Sequence, residues 1–138
     1  MASILKVDDL RGNTAAGNIT ITSEGGSATM QLQQGVAKAW INFNGTGTIA
    51  SRDSFNIASL TDNGTGKYLL SYSSSMGNDD YALSGLARSP GATSGIFNAP
   101  SDAASDQAAG STEVYSLNTS GTPTDLNHIF ANIHGDLA

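Results

Sequence analysis

The chain contains no cysteine, which removes disulfide frameworks, thiolate zinc sites and thiol nucleophiles together. Basic residues are nearly as scarce. Six Lys and Arg stand against twelve Asp and Glu, for a net charge of −6, and they are scattered singly. Such a chain cannot form the basic stripe that counterion release from nucleic acid requires. No apolar run approaches the roughly twenty residues of a spanning helix, so membrane insertion is not expected. Met1-Ala2-Ser3-Ile4 lacks the basic start and apolar stretch of a signal peptide. Large apolar side chains are also few. Val, Ile, Leu and Phe total 27 of 138 residues, just under the level at which disorder becomes a serious reading. Disorder also needs high net charge, and only 13% of residues are charged. What fills the chain instead is small and neutral: 18 Ser, 13 Thr, 11 Asn and 16 Gly. That composition predicts an all-β chain of short strands and tight turns, with a core completed against copies of itself.

Four textures follow one another. Residues 1–27 hold two short apolar alternations, Ile4-Leu5-Lys6-Val7 with Leu10 beyond it, and Asn18-Ile19-Thr20-Ile21-Thr22. Two strands of this length are marginal alone. Ile4, Leu5, Val7, Leu10, Ile19 and Ile21 are therefore expected to dock on a neighbouring subunit or a larger particle. From 28 onward the alternation is clearest. Ala28–Gln34 alternates, and Val36–Phe43 sets Ala37, Ala39, Ile41 and Phe43 opposite Lys38, Trp40 and Asn42. Asn44-Gly45 and Asn63-Gly64 are hairpin signals. Between them the period slips near Arg52-Asp53 and again near Ala58, which predicts a bulge or bend at each. Tyr68–Tyr72 and Tyr81–Ala87 read as further strands. Ile41, Phe43, Phe55, Ile57, Leu69 and Leu83 are the expected core of a domain spanning 28–138.

Residues 88–110 carry two of the three Pro, six Ala and few large apolar residues, and read as a long loop. Thr112–Leu117 resumes as a strand. Asp125–Leu137 fits two patterns: Leu126, Ile129, Phe130 and Ile133 at helical spacing, or Ile129, Ala131 and Ile133 alternating as a strand. The strands before it favour the second.

Val36-Ala37-Lys38-Ala39-Trp40-Ile41-Asn42-Phe43-Asn44-Gly45-Thr46-Gly47-Thr48 resembles a segment of bacteriophage tail-fibre proteins, especially of marine and cyanobacterial phages. The likeness runs on through Arg52–Ile57, Thr61–Tyr68 and Asp79–Gly85, so it spans 36–87, over a third of the chain. Ile4–Gly12 resembles the short segments that precede such domains. The resemblance implies a virion structural protein, mostly β and homotrimeric, exposed at the phage surface and able to contact the host. The chain is short and has no long shaft. That brings in a fibre-tip module, with a head fibre, a capsid decoration protein or a carbohydrate-binding module as alternatives. The partners so implied are other copies, other virion proteins and a host surface glycan.

Single residues admit sharper readings. Trp40 could stack on a pyranose, with Asn78, Asp79 and Tyr81 as further glycan contacts. A core so short of large side chains favours burying Trp40 instead, in the core or at a subunit interface. The acids and amides at 62–63 and 78–80 could ligate Ca²⁺, but no Asp-x-Asp-x-Asp-Gly loop is present and turn chemistry accounts for them. Arg52-Asp53 could form a local ion pair or reach a partner subunit. His128 and His134 would share a strand face without forming a chelating motif. No metal site, cofactor or catalytic constellation is expected, since no carboxylate pair sits in a motif and no nucleophile elbow occurs.

Overall fold

Alternation of apolar and polar side chains governs the architecture, as a half-buried sheet requires. The computed structural model describes residues 4–15, 19–89, 95–98 and 107–138. The chain divides into two units, Met1–Val36 and Ala37–Ala138.

In the first unit, β1 (Thr20–Thr22) and β2 (Thr29–Gln31) form an antiparallel hairpin with Ile21 opposite Met30. A 3₁₀ turn, Leu32–Gly35, follows. The alternation read over Ala28–Gln34 is therefore strand only at its start. β2 pairs with β1 alone, which puts it in this unit rather than in the domain that follows.

The second unit is antiparallel β throughout, in two sheets. The first is ordered β4 (Ala50–Phe55), β3 (Ala39–Asn44), β11 (His128–His134), β7 (Ala82–Arg88). The second is ordered β5 (Ile57–Gly64), β6 (Lys67–Tyr72), β10 (Ser111–Leu117), β8 (Ile96–Asn98), and β9 (Gln107–Ala108) also pairs with β10. The C-terminal segment is thus a strand, with Ile129, Ala131 and Ile133 buried. Ile96–Asn98 and Gln107-Ala108 are strand within the stretch read as loop. Residues 90–94 and 99–106 of that stretch lie outside the described residues.

The inward faces of both sheets meet in one cluster: Ile41, Phe43, Ala87, Ile129 and Ala131 from the first, Tyr68, Leu70 and Val114 from the second, with Leu126. Phe43 and Tyr68 pack edge to face, with centroids 5.0 Å apart, a geometry that suits the ring quadrupoles. A second cluster gathers Ala39, Tyr72, Met76, Tyr81 and Ile133, and Ile57 and Leu83 pack against both. Two expected core residues are not core. Phe55 is 51% exposed, because Ser54 and not Phe55 pairs with inward-facing Ile41. Leu69 is only partly buried, because Tyr68, Leu70 and Tyr72 take the inward positions of β6. A one-residue offset moves a side chain to the other face of a sheet.

Both period slips are bulges. Asn42 and Phe43 pair with Asp53 and Ser51, which leaves Arg52 as the extra residue. Ile57 and Ser59 pair with Tyr72 and Ser71, which leaves Ala58. Between β4 and β5 the chain crosses from one sheet to the other at Asn56, whose φ is +57°. Its amide donates to the Lys38 and Ser74 carbonyls, both at 3.0 Å, and accepts from the Ser74 N–H at 2.7 Å. Asn tolerates this left-handed conformation better than most residues. The Asn-Gly signals act differently from the expectation. The Asn44 amide holds Thr46 by three hydrogen bonds, and the β3–β4 loop extends over five residues. Gly64 pairs with Lys67, so the second tight turn is Thr65-Gly66, with Gly66 at φ +68°, while Asn63 bulges out to donate to Glu113 at 2.8 Å.

Candidate functional site

The outward face of the four-stranded sheet brings together Phe55, Trp40 and Phe130. Pairing sets it out in rows. Phe55, Trp40, Asn132 and Ser84 form one, and Asp53, Asn42, Phe130 and Leu86 the next. His128 and Arg88 pair beyond them. Phe55 and Leu86 are more than half exposed, and Trp40 and Phe130 are partly buried. The only Trp in the chain is thus neither core nor fully solvated.

One corner of this face is basic. The bulge at Arg52 turns its guanidinium toward β11, where Nη2 donates to the Asn127 carbonyl at 2.7 Å and to Asn127 Oδ1 at 3.3 Å. Nη1 reaches Asn42 Oδ1 at 3.4 Å. The ion pair anticipated between Arg52 and Asp53 does not form; the Asp53 carboxylate accepts from the Ser54 N–H instead. Arg88 stands directly across from His128 and has no hydrogen bond or ion pair among the described residues. The His128 ring stacks on Phe130, with centroids 6.3 Å apart and planes at 23°. Its Nδ1 is shut off from solvent and has no hydrogen-bond partner among the described residues. Desolvation, then the charges of Arg52 and Arg88, hold His128 below the usual imidazole range. Two of six basic residues therefore converge on one point of a chain whose net charge is −6.

The other sequence-stated candidates fall elsewhere. Tyr81 is 6% exposed, and its hydroxyl donates to the Ala108 and Ser111 carbonyls, so it ties β7 to the opposite sheet and is not a surface contact. Asn78 and Asp79 lie in an exposed bend. Asn78 Oδ1 accepts from the Asp80 N–H, and the Asp79 carbonyl accepts from Gln107. Asp62 likewise accepts from the Gly64 N–H. The Asn78 and Asp62 bonds close turns, and the Gln107 bond ties the bend to β9. No group of three or more His, Cys, Asp or Glu that could hold a metal occurs among the described residues. Within the first unit Ile4 and Leu5 are each 77% exposed, and Val7, Leu10 and Ile21 are 54%, 49% and 42% exposed. Ile19 is partly buried.

Phe130, Leu86 and Arg88 were not singled out by sequence. Their outward positions follow from strand alternation, but their meeting with Trp40 and Arg52 depends on β11 lying between β3 and β7, which no local pattern encodes. Compared with known proteins, the chain matches no protein-family model, no curated protein and no solved structure.

Proposed function

We propose that the chain is a structural protein of a bacteriophage particle: a fibre or fibre-tip module, homotrimeric, with its β domain displayed outward. The observation that carries this reading is the N-terminal unit. Ile4, Leu5, Val7 and Leu10 lie exposed along a segment with no strand pairing of its own. Exposed apolar side chains gathered in one segment are expected on a surface that another chain completes. The likeness of 36–87 to phage tail-fibre segments names the kind of assembly. The two sheets around a shared core are read as a β-sandwich-like scaffold, a fold that supports display and needs no catalytic step. On this reading the protein is made in the bacterial host, and its partners are two further copies and other virion proteins. A capsid decoration or head-fibre protein would use the same docking segment, and imaging of labelled particles separates head from tail.

Light scattering tests the assembly. A mass three times the 14.1 kDa of one chain is expected at low micromolar concentration, and a stable monomer there would overturn the trimer. Changing Leu5 and Val7 to Ser is expected to leave the domain folded while abolishing incorporation into particles. Normal incorporation would remove the docking role.

A further inference from the structure

We infer that the outward face of the β4-β3-β11-β7 sheet binds an acidic saccharide, a polymer of carboxylate-bearing sugars. Trp40 and Phe130 form the stacking platform, and Arg88 with Arg52 takes the carboxylate. The inference deepens the display reading and rests on it for where such a polymer is met.

Register gives the geometry. Trp40 pairs with Asn132, so Phe130 is its diagonal neighbour; Phe130 pairs with Leu86, so Arg88 is the next diagonal neighbour. Each diagonal step is about 7–8 Å, and together they lay a straight track from indole to guanidinium across three adjacent strands. Sugar rings offer C–H faces to aromatics, and their hydroxyls need amide partners. Phe55 and Leu86 border the track, while Asn42 and Asn132 supply amides along it. At its end neither guanidinium is ion-paired among the described residues, and a carboxylate is the group a guanidinium fork matches. His128 braces this end by stacking on Phe130. Asp53 is the acid on the face; it lies on β4, at the opposite edge of the sheet from Arg88 on β7, and its Oδ1 accepts from the Ser54 N–H.

The charge pattern selects this occupant over a second copy of the chain. A two-fold contact whose axis passed through this corner would set each arginine pair against its own copy, and like charges across an interface are costly. An acidic polymer avoids the rest of this acidic chain, which leaves the basic corner as the point of attraction.

The single Trp makes the test direct, since all indole fluorescence comes from the proposed platform. The full chain is titrated with oligogalacturonate, with neutral galactan oligosaccharides and with sodium sulfate at matched ionic strength. Oligogalacturonate is expected to shift Trp40 emission saturably, with at least tenfold weaker binding for Arg88→Gln and for Phe130→Ser, while the other two probes leave the emission unchanged. Equal binding by wild type and Arg88→Gln, a response to sulfate alone, or no response to any probe would each overturn the inference. So would self-association through this face, seen as an Arg88→Gln variant of higher mass. Light scattering on the same samples keeps the two readings apart: saccharide binding by a monomer retires only the trimer, and a trimer without binding retires only the saccharide.

Discussion

Asn56 is where the chain changes sheets, and replacing it measures what the crossing contributes. Asn56→Gly keeps the left-handed backbone but removes all three side-chain hydrogen bonds. The bond to the Lys38 carbonyl is partly buried, and the two to Ser74 are exposed. Net values of about 1 kcal/mol for the first and about 0.5 kcal/mol for each of the others are reasonable. The added freedom of glycine in the unfolded chain contributes roughly 0.5–1 kcal/mol more. The total is about 2–3 kcal/mol, a fall in Tm of roughly 10 °C for a domain of this size. Asn56→Ala loses the same bonds and is spared the glycine entropy, but it must hold φ near +57° at a cost of about 1–2 kcal/mol. It should be the worse variant, by roughly 0.5–1 kcal/mol in the sum of these terms. Urea unfolding followed by both far-UV circular dichroism and Trp40 fluorescence gives both values. Alanine milder than glycine, or Asn56→Gly within about 0.5 kcal/mol of wild type, would refute the account of the corner.

Three further outcomes are expected. Phe43→Ala should cost about 3–5 kcal/mol, because Phe43 is wholly buried, whereas Phe55→Ala on the outer face should cost under about 1 kcal/mol; chemical denaturation ranks them. Tyr68→Phe removes a hydroxyl that donates to the Gly45 carbonyl and Asp125, each at 3.0 Å, and should cost about 1–3 kcal/mol; Gly45→Ala disturbs the same spot from the other side, since a Cβ there would strike the Tyr68 hydroxyl and come within 2.8 Å of Ile129 Cδ1, and Tm reports both. His128 titrates below its ordinary value when folded, so the unfolded chain takes up the proton first as pH falls. Its neutral state therefore favours the folded chain above the usual imidazole pKa, and that contribution is lost as pH falls through the folded value. A His128→Asn variant should show a flatter dependence of Tm on pH between about 7 and 5.

Local patterns carried the strands and the bulges, and they failed where identity depends on what a neighbour does. The slips at Arg52 and Ala58 are written in the sequence because a strand cannot change face without an extra residue. Tyr68, Leu70 and Tyr72 share a parity that is equally plain, and theirs, not the parity of Leu69, is the face that is buried. The structure satisfies the Tyr68 hydroxyl inside, on Gly45 and Asp125, and so gains the larger ring for the core. Phe55 misled for the opposite reason: hydrophobicity argued for burial, and only register with β3 shows it facing out. The aromatic face was half legible. Trp40 stood out alone, while Phe130 and Arg88 come from segments some ninety and fifty residues away along the chain and join it through pairing alone.

The position of β11 has a bearing on how the domain is made. It is the last of the domain's strands to leave the ribosome, yet it sits between β3 and β7 and completes both ladders. Until it arrives, the emerging chain has two unsatisfied edges and an open hydrophobic seam. Contacts so distant in sequence form slowly, on a millisecond-to-second scale, and unpaired edges invite strands from other chains. In a polysome, where sister chains emerge side by side, that interval is an opening for copies to exchange strands and become interlocked before any of them closes.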